Sequence, residues 1–359
     1  MSEMSHDVQA AQAASAQIPS VVHVSVPATS ANLGPGFDVA GLALGMHDDI
    51  EFERLPEGET RIEIHGEGED TLPRDASHLM VRAYDQACVA FGFPHTGIRI
   101  DATNRIPQAR GMGSSASAIT AGVTAAAALN GQAIEGAVRD RVFDIAARIE
   151  GHPDNVAPAV YGNMTVSWNF KAAEEVPSRE ADAPGVLCAD GSGARFPGES
   201  TVFASGYHTH VYPVSERIHA WIFVPDYELS TERARQALPA QVPYSDALLN
   251  VSRVALLPAV LGGDCGDDTN AVLFSATADK LHQSYRASLM EPSAALMGRL
   301  RAFGYASMIS GAGPCVICLH DGDASDSIAA VIAESLESGH WRMIHLPIDT
   351  QGVNATVVR

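Results

Sequence analysis

Residues 107–129, PQARGMGSSASAITAGVTAAAAL, set two glycines and three hydroxyls directly ahead of an alanine-rich stretch of helical character. Gly111 and Gly113 admit backbone angles closed to other residues, and Ser114, Ser115 and Ser117 offer hydroxyls and a cap for the helix that follows. Main-chain N–H groups at such a start point outward along the positive end of the helix dipole, which makes a seat for phosphate. The run from Gly111 to Ala116 also satisfies G-x-G-x-x-A, the dinucleotide fingerprint, which requires a strand directly before it and another after the helix. That context fails, because Pro107 to Arg110 interpose a loop and Asn130-Gly131 turns into a second helical pattern. No Gly-Lys-Ser/Thr follows, so it is not a Walker A loop. A tight turn capping a core helix is the plain alternative, and the loop alone does not decide between them.

Further polar groups gather elsewhere. EGHPDNVAPAVYGNMTVSW (150–168) crowds His152, Asp154 and Asn155 into four residues beside a proline, between a helix and a strand. Groups of that density are costly to leave unsatisfied and point to binding. In PATSANLGPGFD, Gly34-Pro35-Gly36 puts Asn32 and Asp38 on a loop, where both types are also ordinary turn formers. In ELSTERARQALP (228–239), Ser230 or Thr231 caps a helix with Arg233 and Arg235 in its first turns; cations there oppose the dipole and hint at a bound anion. Arg286 is a lone cation in an apolar segment. Asp144 lies three residues from Arg141 and four from Arg148, the spacing of a helix-surface ion pair. Gly311 and Gly313, in GYASMISGAGPCVICLH (304–320), let a backbone approach a ligand or another segment closely.

The positioning elements follow from periodicity. VVHVSV is a strand that breaks at Pro27; IEFERL (50–55) and TRIEIHGEG (60–68) alternate like a half-exposed hairpin; 97–107 is a strand running into the glycine loop. Residues 76–91 and 132–150 have helical spacing, the latter with Val142, Phe143, Ile145 and Ala146 inward. Helices are expected around 244–261 and 268–289, and the last stretch reads as two strands around Asp349 and Gly352. Residues 171–210 lack periodicity and read as an insertion or linker; His208 and His210 in it have no completed ligand set and are expected as exposed loop histidines.

Composition narrows the function. With 23 basic against 43 acidic residues the net charge is −20, which disfavours nucleic acid and anionic membrane surfaces. Five scattered cysteines argue against a disulfide framework and for a reducing cytoplasm; Cys315 and Cys318 fall three apart on a strand, facing opposite ways as core residues. Residues 1–20 lack a signal-peptide pattern and read as a loose tail, and no run suffices to cross a bilayer.

PATSANLGPGFDVAGLAL, PQARGMGSSASA, EGHPDNVAPAVYGN, STERAR, SGAGP and PIDTQGV together make the chain similar to the GHMP small-molecule kinases, and within them to the homoserine-phosphorylating members. GMGSSA marks only the superfamily, whereas EGHPDNVAPA with STERAR is far more specific. The resemblance implies an α+β fold, with an N-terminal ribosomal protein S5 domain 2-like ATP-binding domain over 21–170 and a C-terminal ferredoxin-like domain over 211–359, the site lying between them. It implies transfer of phosphoryl from ATP to L-homoserine on the route to threonine, in the cytoplasm, with Mg²⁺. Pro107 and Arg110 through Ser117 (Gly111, Met112, Gly113, Ser114, Ser115, Ala116) would wrap the phosphates. Asn32, Asp38, His152, Asp154, Asn155, Thr231, Arg235 and Arg286 match the positions that hold the amino acid. Asp38 and Asn32 suit its ammonium and the two arginines its carboxylate. Asp154, Asp38 and Arg235 come nearest the chemistry, Asp154 as the group closest in kind to a proton acceptor. Ser115 and Asp144 would hold the metal, with Glu150 as the alternative, and His78 stands where an asparagine is common beside the adenine. A homodimer is allowed rather than required.

Overall fold

Val21–Ala31 and Ala40–Leu55 open the fold as two long antiparallel strands, which alternate buried with half-exposed residues over 22–26 and 48–53 and are buried on both faces over 26–31 and 40–44. The computed structural model describes residues 19–171, 193–195 and 202–359. The register of the pair shifts at Pro27/Ala28, where a proline removes one ladder donor; beyond the shift, Ala28–Ala31 pairs back along Gly41–Leu44 and carries the chain toward the cleft described below. The sheet is seven-stranded. Its central order is Asn354–Val357, Val21–Ala31, Ala40–Leu55, Gly97–Asn104, Thr60–Gly66, and Met164–Phe170 joins the near end of Ala40–Leu55 and pairs in turn with Gly206–Tyr212.

Helices Leu79–Phe91, Ser114–Leu129, Gly136–Glu150 and Val156–Tyr161 form a layer on this sheet. Ser114–Leu129 is buried on nearly every side, which its run of alanines permits because small side chains let neighbouring helices close in. The second sheet is antiparallel throughout, in the order Ala306–Ile309, Val316–Asp321, Ile218–Pro225, Trp341–Leu346. Its alternation is clean: Ala220 and Ile222 pack toward Leu42 and Leu44 of the first sheet, while Trp221 and Phe223 pack against Leu296, Leu300 and Ile328 on the other side. Cys315 falls in the first of these cores and Cys318 in the second, as expected for positions three apart, and burial pushes both thiols up. No helix among the described residues is long and apolar enough to cross a membrane.

Several expectations are corrected. The two alternating segments do not form a hairpin, because Gly97–Asn104 inserts between them, antiparallel to Ala40–Leu55 and parallel to Thr60–Gly66. Sheet membership does not follow the expected division at 171 and 210 either: Gly206–Tyr212 and the distant Asn354–Val357 both belong to the first sheet. His208 and His210 therefore stand on a strand, stacked on Trp168 and edge-on to Tyr212, not on a loop. The 244–261 region breaks into Tyr244–Val254 and Leu257–Leu261, and 268–289 into shorter turns. The tail expected over 1–20 falls almost wholly outside the described residues, as does most of the 171–210 segment.

Candidate active site

The glycine loop is held by its carbonyls. Ala109 O accepts from Leu229 N at 3.2 Å, Arg110 O from Cys315 N at 3.1 Å, Gly111 O from Ser310 Oγ at 2.6 Å and Met112 O from Thr29 N at 3.1 Å. Four successive oxygens are thus committed to the surrounding scaffold, so the loop does not offer their partial negative charge to a ligand. Gly111 and Gly113 take φ of +79° and +74°; a Cβ on the first would run into Ser310 O, and one on the second into Thr29 Oγ1. Helix Ser114–Leu129 starts at Gly113 with no side-chain cap, leaving its first N–H groups without helical partners. Helix dipole and bare amides together make this start an anion seat.

It opens on a cleft of about 340 Å³. All eight residues expected to hold an amino acid line this cleft, beside Gly111, Gly113, Ser114 and Ser115. Pro107, Arg110, Met112, Ala116 and Ser117 do not line it. Met112, Ala116 and Pro107 are buried in the core, Ser117 turns its hydroxyl inward to Asp48, and Arg110 spans from Gln108 O to Pro225 O and Glu228. These side chains fix the loop from behind.

Beside the helix start, Gly136–Glu150 ends at Gly151 and the chain presents Glu150, His152, Asp154 and Asn155 in succession. Ser115 donates to Glu150 Oε2 at 2.8 Å. His152 Nδ1 meets Asp154 Oδ1 at 2.6 Å, the same oxygen accepts from Asn155 N at 3.1 Å, and Thr29 Oγ1 donates to Asn155 Oδ1 at 2.8 Å. Burial pushes the Glu150 carboxyl above the usual carboxylate range, against the pull of His152 and of the Ser115 hydroxyl. Burial alone would lower His152, but its bond to Asp154 and the two flanking carboxylates outweigh that and raise it. A serine hydroxyl and a half-buried carboxylate at bonding distance form a hard oxygen pair of the kind divalent cations take. Asp144 is elsewhere: Arg141 Nη1 at 3.1 Å and Arg148 Nε at 2.8 Å hold it on the helix face, where it lines a separate cavity. The expectation that Asp144 stands with Ser115 is therefore corrected to Glu150 on grounds of placement.

The other end of the cleft is charged. Asn32, at φ +71°, donates to Gly311 O at 2.7 Å and accepts from Asp38 N at 2.9 Å, which holds Asp38 at φ +58°. Arg235, on the short helix Thr231–Gln236, forks onto that carboxylate, Nη1 to Oδ2 at 3.0 Å and Nη2 to Oδ1 at 3.2 Å. Arg286 lies behind, 2% exposed, over the Phe37 ring and bonded through Nε to Ala234 O at 3.1 Å and through Nη1 to Gly311 O at 3.4 Å. His282 Nδ1, 3.2 Å away, accepts from Arg286, so its Nε2–H donates to Gly34 O at 2.9 Å.

Two residues escaped the sequence reading. Asp48, 4% exposed, accepts from Arg105 N at 2.7 Å, Ile106 N at 3.0 Å and Ser117 Oγ at 2.9 Å, and so staples the approach to the glycine loop to the first turn of the helix. Its signal was there: the period of two puts Asp48 on the inward face with Ile50 and Phe52. Asn104 is the other. With His78 it lines a second cavity of about 310 Å³, largely apolar through Leu72, Pro73, Leu79, Met80 and Ile106, which shares Ala109, Ser114 and Ser115 with the cleft. His78 caps its helix by accepting from Met80 N at Nδ1, which puts the proton on Nε2; Asn104 donates to Glu67 O. His78 Nε2 and Asn104 Oδ1 are left buried without a partner, one donor and one acceptor.

The GHMP kinases N terminal domain model matches residues 78–163 and the GHMP kinases C terminal model residues 268–338. The chain is 41% identical to the homoserine kinase of Streptomyces coelicolor over 94% of each chain. It is 38% identical to that of Corynebacterium aurimucosum over 91% of this chain and 94% of the other. Among solved structures, the homoserine kinase of Cytophaga hutchinsonii superposes with a TM-score of 0.74 over 95% of this chain and 98% of the other, at 23% identity.

Proposed function

The chain belongs to the GHMP kinases, and within them to the homoserine kinases, and on that premise we propose that it transfers the γ-phosphoryl group of ATP to the side-chain hydroxyl of L-homoserine, giving O-phospho-L-homoserine and ADP. The observation that carries the substrate reading is the cleft itself: an uncapped helix start and an Asp38–Arg235–Arg286 cluster line one cavity. An acceptor with both an ammonium and a carboxylate, and an alcohol at the end of its chain, spans those two regions; a sugar or a simple hydroxy acid leaves the charges unmatched.

In this reading the homoserine oxygen bonds to the γ-phosphorus as the bond from that phosphorus to the β–γ bridging oxygen breaks, and ADP departs with the electron pair. The transition state is loose, so placement and charge stabilisation matter more than a strong base. Asp38 and Asn32 take the ammonium, Arg235 and Arg286 the carboxylate. Asp154, held by His152 and Asn155, orients the hydroxyl and receives its proton late. Amides at Gly113 to Ser115 hold the phosphates. Ser115 and Glu150 fit a magnesium ion by donor type, and that ion, when bound, supplies charge neutralisation to the phosphate oxygens. The apolar second cavity, with its unpaired donor at His78 and acceptor at Asn104, suits a base that carries an amino group beside a ring nitrogen, which is adenine's pattern. The scattered cysteines and the biosynthetic reaction agree with a cytoplasmic setting.

ADP release, followed by a coupled assay with L-homoserine, mevalonate and galactose as acceptors and with or without Mg²⁺, tests the proposal. Turnover with homoserine alone, dependent on the metal, is expected. Turnover with another acceptor and none with homoserine would refute it.

A further inference from the structure

The charged end of the cleft satisfies itself. Asp38 and Arg235 meet in a two-point fork while remaining 37% and 40% exposed, so they are accessible and already matched. Asp38 is fixed by Asn32 and by its own left-handed backbone, whereas Arg235 reaches in from a six-residue helix. Arg286 differs from both, since its guanidinium is buried and committed to Ala234 O, Gly311 O and His282.

We propose that the Asp38–Arg235 pair is an internal competitor that excludes alcohols bearing only one of the two charges of an amino acid, and the proposal rests on the homoserine reading above. A zwitterion replaces the pair without loss: its ammonium takes over the claim on Asp38 and its carboxylate the claim on Arg235. An acceptor with a carboxylate alone opens the fork, sets its own negative charge beside Asp38 and leaves that carboxylate without its partner. An amino alcohol does the reverse, bringing its positive charge beside Arg235. Each half-charged alcohol thus loses an interaction that the protein makes in its absence, which is specificity by rejection rather than by attraction. Arg286 adds an asymmetry. Fixed in place, it still attracts a carboxylate, so the amino alcohol is rejected more strongly than the hydroxy acid.

The experiment compares kcat/KM for L-homoserine, its des-amino analogue 4-hydroxybutanoate and its decarboxy analogue 3-aminopropan-1-ol, in the wild type, Asp38→Asn and Arg235→Gln. Asp38→Asn is expected to lower kcat/KM for homoserine yet raise it for 4-hydroxybutanoate by roughly two- to fivefold, the scale of one partly exposed ion pair. Arg235→Gln is expected to do the same for 3-aminopropan-1-ol. KM for ATP, unchanged in both, reports that the folded site survives. If the wild type phosphorylates homoserine and neither substitution improves its matching analogue, the competitor is refuted while the homoserine reading stands. If the wild type does not phosphorylate homoserine, the reading itself fails and the inference falls with it.

Discussion

At the glycine end of the cleft the groups come from one short stretch of chain, its four carbonyls fastened outward and its glycines pressed against Thr29 and Ser310. At the arginine end, Asn32 and Asp38 share one loop while Arg235 and Arg286 arrive from two other segments, and Asp38 and Arg235 stay substantially exposed. The first region is rigid because its framework is buried, and its chemistry lies in main-chain amides that no substitution short of proline removes directly. The second relies on side chains with alternative partners. Phosphate is common to every kinase of this kind and tolerates a fixed seat, whereas telling one alcohol from another requires charges that can be exchanged.

The sharpest way to break this contrast is Gly113→Ala. A methyl group there meets Thr29 Oγ1 on a backbone at φ +74°, so a stability loss of about 2–3 kcal/mol in chemical denaturation is expected. ADP release should fall at least ~100-fold, given how steeply rate depends on the placement of reacting groups. Normal activity in that variant would mean the loop is not held as described.

Asp48→Ala comes next. It strands three donors, two of them buried, and is expected to cost about 3 kcal/mol, with KM for ATP rising roughly tenfold and KM for homoserine unaffected; equal damage to both would deny the staple a specific link to the nucleotide end. Asp48→Asn keeps the acceptor for Arg105 and Ile106 and should restore most of both. Burial raises the Asp48 carboxyl above its ordinary value of 3.8, against the hydrogen bonds from Ile106, Arg105 and Ser117. A group raised in the folded state favours folding below its unfolded value and loses that contribution as pH climbs through the folded one. Wild-type stability measured relative to Asp48→Asn should therefore decline with pH from about 4 upward.

A milder effect is expected from the arginine end. Arg235→Ala should raise KM for homoserine about tenfold, the loss of one charge-assisted contact, with KM for ATP near normal and little change in melting temperature. Least of all, Asp144→Asn should alter stability by less than about 0.5 kcal/mol, since its two ion pairs lie on an open helix face, and should leave metal dependence intact, whereas Glu150→Gln should slow turnover. A metal-dependent defect in Asp144→Asn would reverse the assignment.

The glycine loop was legible because its residues are contiguous and glycine–serine runs before a helix have few uses. The eight residues expected to hold the amino acid, which the structure brings to one cleft, owe that role to resemblance alone, since no local pattern ties Asp38 to Arg235. The side chains of Ala116 and Ser117 face the core, which the sequence does not show for a physical reason: in an alanine-rich helix, burial all round erases the polar–apolar contrast that would mark the inward side. Asp144 illustrates another limit, as its spacing to two arginines already announced the ion pair the structure contains. The hairpin was misread because a period of two identifies a strand but not its neighbour; the parallel pairing of Thr60–Gly66 with Gly97–Asn104 depends on the intervening Leu79–Phe91 helix crossing the sheet.

Asn354–Val357 lies against Val21–Ala31, with Val357 opposite Val22 and Ser25 opposite Asn354. During synthesis on the ribosome, an outer ladder of the first sheet must therefore wait until the last residues of the strand emerge, long after the glycine loop has been made. Until then the nascent chain carries Val21–Ala31 with that edge unpaired.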